Sequence, residues 1–200
     1  MVSAVAAGFD APVLAAQAAF RAVMDAMARP GTVHPVSGIA APPPPLAPAA
    51  AAITLTLLDY ETPFWLDPAL AGAPQVAGWI AFHTGATMTA DPGAAAFAFI
   101  ADTAAAPPFE TFALGTPEYP DRSTTLVLQV ARFDAGAQLT LRGPGIAGSR
   151  RFTAEPLPAD IAGRVAANRA LYPRGVDLVL VTKDAVAALP RSLRVEAPGG

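Results

Sequence analysis

The chain has 200 residues, long enough for one domain with a sizeable core and short for two; hydrophobic residues make up 53% of it, but about 48 of those positions are Ala, so the core is diluted by small side chains. Charged residues are only 14%, the net charge is -3, and Lys183 is the only lysine among 13 basic residues, which excludes the clustered basic surface that nucleic acids or anionic lipids require. With no Cys and two His, disulfides, thiolate catalysis, iron-sulfur clusters, cysteine zinc sites and three-histidine metal sites are excluded as well.

At the N-terminus no basic residue precedes the small apolar run of Met1 to Asp10, so no secretory signal is expected. Asp10 is placed to cap a helix with Pro12 in its first turn, and Phe20, Val23, Met24 and Met27 follow at i, i+3, i+4 and i+7 as a buried face. Arg29-Pro30-Gly31 stops that helix, and Thr32 to Val36 reads as a short strand limited by Pro35. Five prolines between Ala41 and Pro48 predict an extended loop inside the domain, and they interrupt the most apolar stretch, Ala40 to Leu58, far short of a membrane span. A soluble, cytoplasmic protein is expected.

Leu46, Ala49, Ile53 and Leu57 predict a helix, although Ile53 to Leu57 also satisfies a period of two. Strands are predicted at Thr62 to Leu66 and Ala94 to Ala101, the latter with Phe97 and Phe99 on one face, and Pro74 to Phe82 is helical between them. Thr125 to Ala131 and Val176 to Val181 are near-continuous apolar runs, as in strands covered on both faces, whereas Gln138 to Arg142 alternates like a half-exposed strand. Pro158 starts a last helix with Asp160 in its first turn and Ile161, Val165 and Tyr172 on one face. The fold class is therefore α/β: one three-layer αβα domain over residues 1-200 with a mixed sheet and helices on both sides, its ends at 1-8 and 197-200 flexible.

Several residues could carry chemistry. His83, just before a turn, could be a base or a phosphate ligand. Arg122, Ser123 and Thr124 open the buried strand with a charge and hydroxyls able to hold an oxyanion, and Arg174 precedes the other apolar strand; together these five make a candidate anion pocket. Against each stands a structural reading, a satisfied core histidine or ordinary strand-start hydroxyls. Gly143-Pro144-Gly145 is a tight turn and no Walker loop, since Pro144 lacks an N–H and no Gly-Lys-Ser/Thr follows. Adjacent Arg150 and Arg151 face opposite sides of any strand. Asp177, near the start of an apolar run, needs an Arg or a backbone N–H as partner if it is covered. No nucleophile elbow, dinucleotide fingerprint, P-loop or zinc motif occurs.

Read in order, a set of segments resembles the PhnH family of bacterial phosphonate breakdown. They are Phe20 to Met27 with Arg29-Pro30-Gly31, Leu57 to Pro63 with Trp65-Leu66, Phe82-His83-Thr84, Gly115-Thr116, Thr124 to Val130, Leu141 to Ile146, Tyr172 to Leu178, and Leu189 to Ser192 with Val195-Glu196. The resemblance spans about residues 9 to 196, with departures at the Pro42 to Pro45 insertion and at Ser192. It implies a fold like the large domain of pyridoxal-phosphate-dependent transferases without the cofactor. Such an enzyme needs a Schiff-base lysine, and Lys183 falls after a strand, beside Asp184, where an exposed turn is expected; no cofactor and no metal are expected.

The resemblance also implies a subunit of the carbon-phosphorus lyase complex, acting with PhnG, PhnI, PhnJ and PhnL in making ribose 1-phosphonate 5-triphosphate from ATP and an alkylphosphonate, and a homodimer when isolated. It supplies no catalytic residue. The leading expectation is a non-catalytic structural subunit whose low-charge surface is buried against partners, with Phe64, Trp65, Trp79 and Phe109 as either interface anchors or core. The alternative is a small-anion or nucleotide-binding protein using the His83 and Arg122 pocket.

Overall fold

Apolar runs that need cover on both faces belong in the middle of a sheet. The two found in the sequence become β4 (Thr125–Gln129) and β7 (Asp177–Val181), parallel neighbours in register from Thr125 opposite Asp177 to Gln129 opposite Val181. The computed structural model describes residues 6–37, 39 and 41–196. In it the sheet extends on one side through β3 (Phe97–Ile100) to β2 (Phe64–Leu66), both parallel to β4. On the other side β8 (Ala185–Leu189) runs antiparallel to β7, and the edge strand β1 (His34–Pro35) runs antiparallel to β8. The order β1-β8-β7-β4-β3-β2 makes this a six-stranded mixed sheet, and the expected α/β class is observed.

Alternate residues divide the core. Phe99, Val127, Val179, Val181, Val186 and Ala188 pack on one face against α1 (Pro12–Ala28), α2 (Pro48–Leu57) and α4 (Pro74–Thr84); the one-turn α3 (Pro68–Ala71) precedes α4. Ile100, Leu126, Leu128, Leu178, Leu180 and Leu189 pack on the other face with Phe109, Phe112 and α5 (Ile161–Ala170). That second face also carries something the sequence reading missed. β5 (Leu139–Arg142), β6 (Arg150–Phe152) and β9 (Arg194–Glu196) form a separate antiparallel sheet in the order β6-β5-β9. β5 is the alternating strand, with Leu139 and Leu141 buried in the same core as Leu178, Leu180 and Val165.

The predicted face of α1 is only partly right. Val23 is buried, but Phe20 and Met24 are half exposed, and the inward residues are Ala19, Ala22, Val23 and Ala26. The cause lies in α2, where Ala49 to Ala52 are all buried: two alanine faces let the helix backbones approach closely, and large side chains are turned outward. Nor does Asp10 cap this helix. Ala11 is the first flanking residue and makes no side-chain cap. Tyr172 lies beyond α5 and is exposed, where Asn168 takes the buried position expected of it.

The expected flexible ends fall largely outside the described residues, 1–5 and 197–200 being undescribed. Ala6, inside them, is held: its carbonyl accepts from Trp79 Nε1 at 2.9 Å. The aromatic anchors exchange roles with α1 in the same way. Phe64, Trp79 and Phe109 are buried, and Trp65 is half-buried with its ring edge-on to Phe112 at 5.6 Å.

Candidate functional site

Parallel strands β4 and β7 start at the same edge of the sheet, and antiparallel β8 ends there, so residues just before β4, at the head of β7 and just after β8 converge. Asp177 opens β7 and finds the partner its position requires in Arg191. The Arg191 backbone N–H donates to Asp177 Oδ1 at 2.8 Å, Nε donates to Oδ1 at 3.2 Å and Oδ2 at 3.1 Å, and Nη2 closes a further bond to Oδ2. The remaining reach of the guanidinium goes to the carbonyl of Pro120 at 2.5 Å and to Ser123 Oγ at 2.6 Å. Both side chains of the pair are 15% exposed. Sequence reading asked for an Arg or a backbone N–H at Asp177, and Arg191 supplies both; it could not be picked because nothing local marks a residue beyond a hairpin turn as the partner.

Of the five candidate anion-pocket residues Ser123 joins this cluster, and Thr124 beside it bonds elsewhere. Ser123 accepts from Arg191, and Thr124, fully buried, donates its hydroxyl to the Ala95 carbonyl at 2.6 Å while accepting from the Ala113 N–H at 3.1 Å. Arg122 turns outward with its guanidinium 4.2 Å from the centre of the Tyr119 ring. Arg174 lies in the connection from α5 to β7, its backbone N–H bonded to Leu171 at 3.0 Å. His83 is held elsewhere, in the last turn of α4: its Nε2 is 3.0 Å from the Ala6 carbonyl, and its ring packs against Trp79 and Phe82. None of the five principal clefts is lined by any of these five residues.

The carboxyl edge of the parallel strands is where open α/β sheets usually admit ligands. Here its polar side chains, which the sequence reading did not single out, bond to the chain itself, beside a cleft of about 270 Å³ lined by Trp65, Asp67, Ile100 and Asp102. Buried Asp67, at the end of β2, accepts from the N–H groups of Leu70 at 2.9 Å, Ala101 at 2.9 Å and Asp102 at 2.8 Å. An Asp followed by Pro at a helix start is a capping signal that the sequence did carry. Gln129, at the end of β4, accepts from the Ala47 N–H at 2.6 Å and donates to the Pro45 carbonyl at 3.1 Å, so it clamps the proline-rich loop onto the sheet. Its own carbonyl accepts from Thr103 Oγ1 at 2.7 Å. A polar residue ending an otherwise apolar run was the available sign.

Lys183 occupies the exposed turn between β7 and β8, as expected from its position, and lines a shallow cleft of about 430 Å³ with Arg132 and Asp184. Close by, the Arg132 guanidinium beside Asp134 holds that carboxyl below the usual carboxylate range, with a bond to its own backbone amide assisting. Among the described residues no three His, Asp or Glu side chains group as metal ligands.

A second knot joins the helical layer to the small sheet. Arg150 donates to the Pro30 carbonyl at 2.8 Å while Arg151 is exposed, so the adjacent arginines do face apart. Gly145, with φ +79, lies so close to the end of α1 that a Cβ there would sit 2.0 Å from the Ala28 carbonyl oxygen. The turn Gly143-Pro144-Gly145 is thus a packing element, and only glycine fits its last position.

The segments meeting in these knots are the ones on which the family resemblance rested. The model of the bacterial phosphonate metabolism protein (PhnH) family matches residues 7–196. The chain belongs to the PhnH family. It is 50% identical over 190 residues to a protein of Rhizobium meliloti (strain 1021) named "Alpha-D-ribose 1-methylphosphonate 5-triphosphate synthase subunit PhnH", covering 94% of each chain. It is also 35% identical over 86 residues to "Putative C-P lyase subunit protein HtxG" of Stutzerimonas stutzeri, covering 43% of this chain and 44% of that one. In this member of the PhnH family, Arg29-Pro30-Gly31 meets Leu141 to Ile146 at the end of α1, and Tyr172 to Leu178 meets Leu189 to Ser192 and Thr125 at the amino edge. No helix among the described residues is long and apolar enough to cross a membrane.

Proposed function

We propose that this protein is a structural, non-catalytic subunit of the carbon-phosphorus lyase assembly, one PhnH domain that supports formation of ribose 1-phosphonate 5-triphosphate from ATP and an alkylphosphonate. The near full-length identity to a relative named as a subunit of the ribose 1-methylphosphonate 5-triphosphate synthase supports the pathway. The partners are PhnG, PhnI and PhnJ with PhnL, the compartment is the cytoplasm, the isolated chain is a homodimer, and the fold is like the large domain of pyridoxal-phosphate-dependent transferases without the cofactor.

The observation that carries a subunit role is the outer face of α1. Val13 and Leu14 are 70% and 71% exposed, Phe20 and Met24 about half, and with Gln17, Arg21 and Thr56 the last two border an open cleft of about 470 Å³. A run of large apolar side chains on the outside of a helix whose small ones are inside is costly to leave in water and suits a permanent interface. The polar groups at both sheet edges, by contrast, are engaged with the chain itself, which agrees with a protein that contributes shape and not a reaction centre.

Co-expression with PhnG, PhnI and PhnJ tests this. The chain is expected to co-elute with them on size exclusion, and Phe20→Glu with Met24→Glu is expected to elute free while keeping its circular dichroism. A wild-type chain that elutes separately in the presence of all three overturns the proposal.

A further inference from the structure

We infer that the outer face of the three-stranded sheet is a docking surface for an acidic segment of a partner protein, recognised by Arg142, Arg151 and Arg194. This surface is separate from the outer face of α1, and the inference does not depend on the subunit role.

The strand registers decide which side chains share that face. In β5, Leu139 and Leu141 are buried, so Thr140 and Arg142 turn outward. Arg151 stands opposite Thr140 from β6, while Glu196 and Arg194 stand opposite Thr140 and Arg142 from β9. Directly opposed residues lie on the same face, so the paired residues on the outside are three arginines, one threonine and one glutamate. All four charged residues are exposed.

Within the chain this arrangement is unbalanced. Arg194 opposite Arg142 is a like-charge pair in a position where unlike charges would stabilise the ladder. Glu196, the one carboxylate on the face, already accepts from Arg142 Nε at 2.6 Å. Neither Arg151 nor Arg194 forms an ion pair among the described residues. Three arginines against one glutamate leave the face a surplus of two positive charges, on a chain whose net charge is -3. The face is thus a local reversal of the molecule's charge and not a sample of its general surface.

The chemistry of the occupant follows from that charge and its spacing. A guanidinium fork matches a carboxylate through two parallel N–H···O bonds. Directly opposed residues such as Arg142 and Arg194 have Cβ atoms about 5 Å apart, and the diagonal from Arg142 to Arg151 is about 7–8 Å. Carboxylates one turn apart on a helix, or two residues apart on a strand, have similar separations. No large apolar side chain is among the paired residues on this face, so association is steered by charge and weakens with salt. A nucleic acid fits less well, because it brings a long line of phosphates to a chain that is acidic outside this face. A short acidic segment meets the arginines alone.

Fluorescence anisotropy of a labelled peptide with Glu at alternate positions, titrated with the full chain, tests this. Saturable binding is expected at low ionic strength, weakened at least about tenfold at physiological salt. Arg151→Glu combined with Arg194→Glu is expected to weaken it at least about tenfold at low salt. Arg151→Gln with Arg194→Gln, which removes the charges without reversing them, is expected to lose less in the same direction. Arg122→Glu with Lys183→Glu makes the same change of net charge at exposed positions elsewhere, and is expected to stay within about twofold of the parent. Circular dichroism of every variant is expected to match the parent. No saturable binding of the peptide, an equal loss in the two charge-reversed pairs, or tighter binding of a duplex DNA oligonucleotide than of the peptide overturns the inference.

Discussion

The amino edge of the large sheet and the small sheet with α5 beside it each present arginines, and they treat them in opposite ways. At the edge, Arg191 gives its backbone N–H, Nε and both terminal nitrogens to Asp177, Pro120 and Ser123. In the second region, Arg169 keeps a buried Nε without an acceptor and Arg194 faces another arginine. The difference separates charges that hold this fold together from charges left over after it has formed. An arginine whose donors are all used inside the chain has nothing to offer a ligand.

The largest effect that could break this comparison is expected at Arg191. Arg191→Ala leaves the Asp177 carboxylate sheltered without its counter-ion, and breaking such a pair costs about 3–5 kcal/mol, a large share of the stability of an ordinary domain. Chemical denaturation followed by circular dichroism measures it, and a loss below about 1 kcal/mol would show that the edge is not held by charge. Arg191→Met combined with Asp177→Leu is expected to cost less than Arg191→Ala, because no isolated charge remains.

A middle effect is expected at the carboxyl edge. Gln129→Ala removes both bonds to the Pro45–Ala47 segment and is expected to lower stability by about 1–2 kcal/mol, leaving the Ala47 N–H without its partner. Faster proteolysis within residues 41–48 than in the parent chain would localise the loss to the loop; unchanged proteolysis would show that the prolines alone hold it. Smaller still, Arg194→Gln is expected to leave stability within about 0.5 kcal/mol of the parent, since it removes a like-charge pairing and no attractive one. A clear destabilisation there would make Arg194 a fold-holding residue like Arg191 and close the contrast between the two regions.

How much of this was readable beforehand follows the range of the interactions. β4 and β7 announced themselves because a strand covered on both faces must be apolar throughout, and Asp177 announced a need for a partner because it interrupts that rule. Arg191 could not be named: the pair closes over 14 residues, through a hairpin whose geometry no local pattern states. The face of α1 was misread because period and size were weighed together, so that Phe20 and Met24 outweighed Ala19, Ala22 and Ala26, although contact with an alanine-rich helix rewards the small residues. The three-stranded sheet was missed because β6 and β9 are three residues each, too short for alternation to register. Nothing in a string of letters tells that Arg142 and Arg194 face each other, since that depends on where β9 lands beside β5.

The comparison is sharpened last by an ion pair of the same chemistry as Arg191–Asp177 with none of its shelter. Arg132 Nε lies 2.7 Å from Asp134 Oδ1, with side chains 56% and 80% exposed. The arginine lowers the Asp134 pKa in the folded chain, so the carboxylate favours folding above its unfolded value of about 4, and that contribution fades as pH falls through the lower folded value. Unfolding midpoints of the parent and Asp134→Asn, measured from neutral pH down to about 3, should therefore converge on acidification, the difference at neutral pH being close to the resolution of the measurement because water and salt screen an exposed pair. A difference that grows toward acid has the wrong sign for this pair, and a neutral-pH difference rivalling that of Arg191→Ala would mean that burial is not what distinguishes the two.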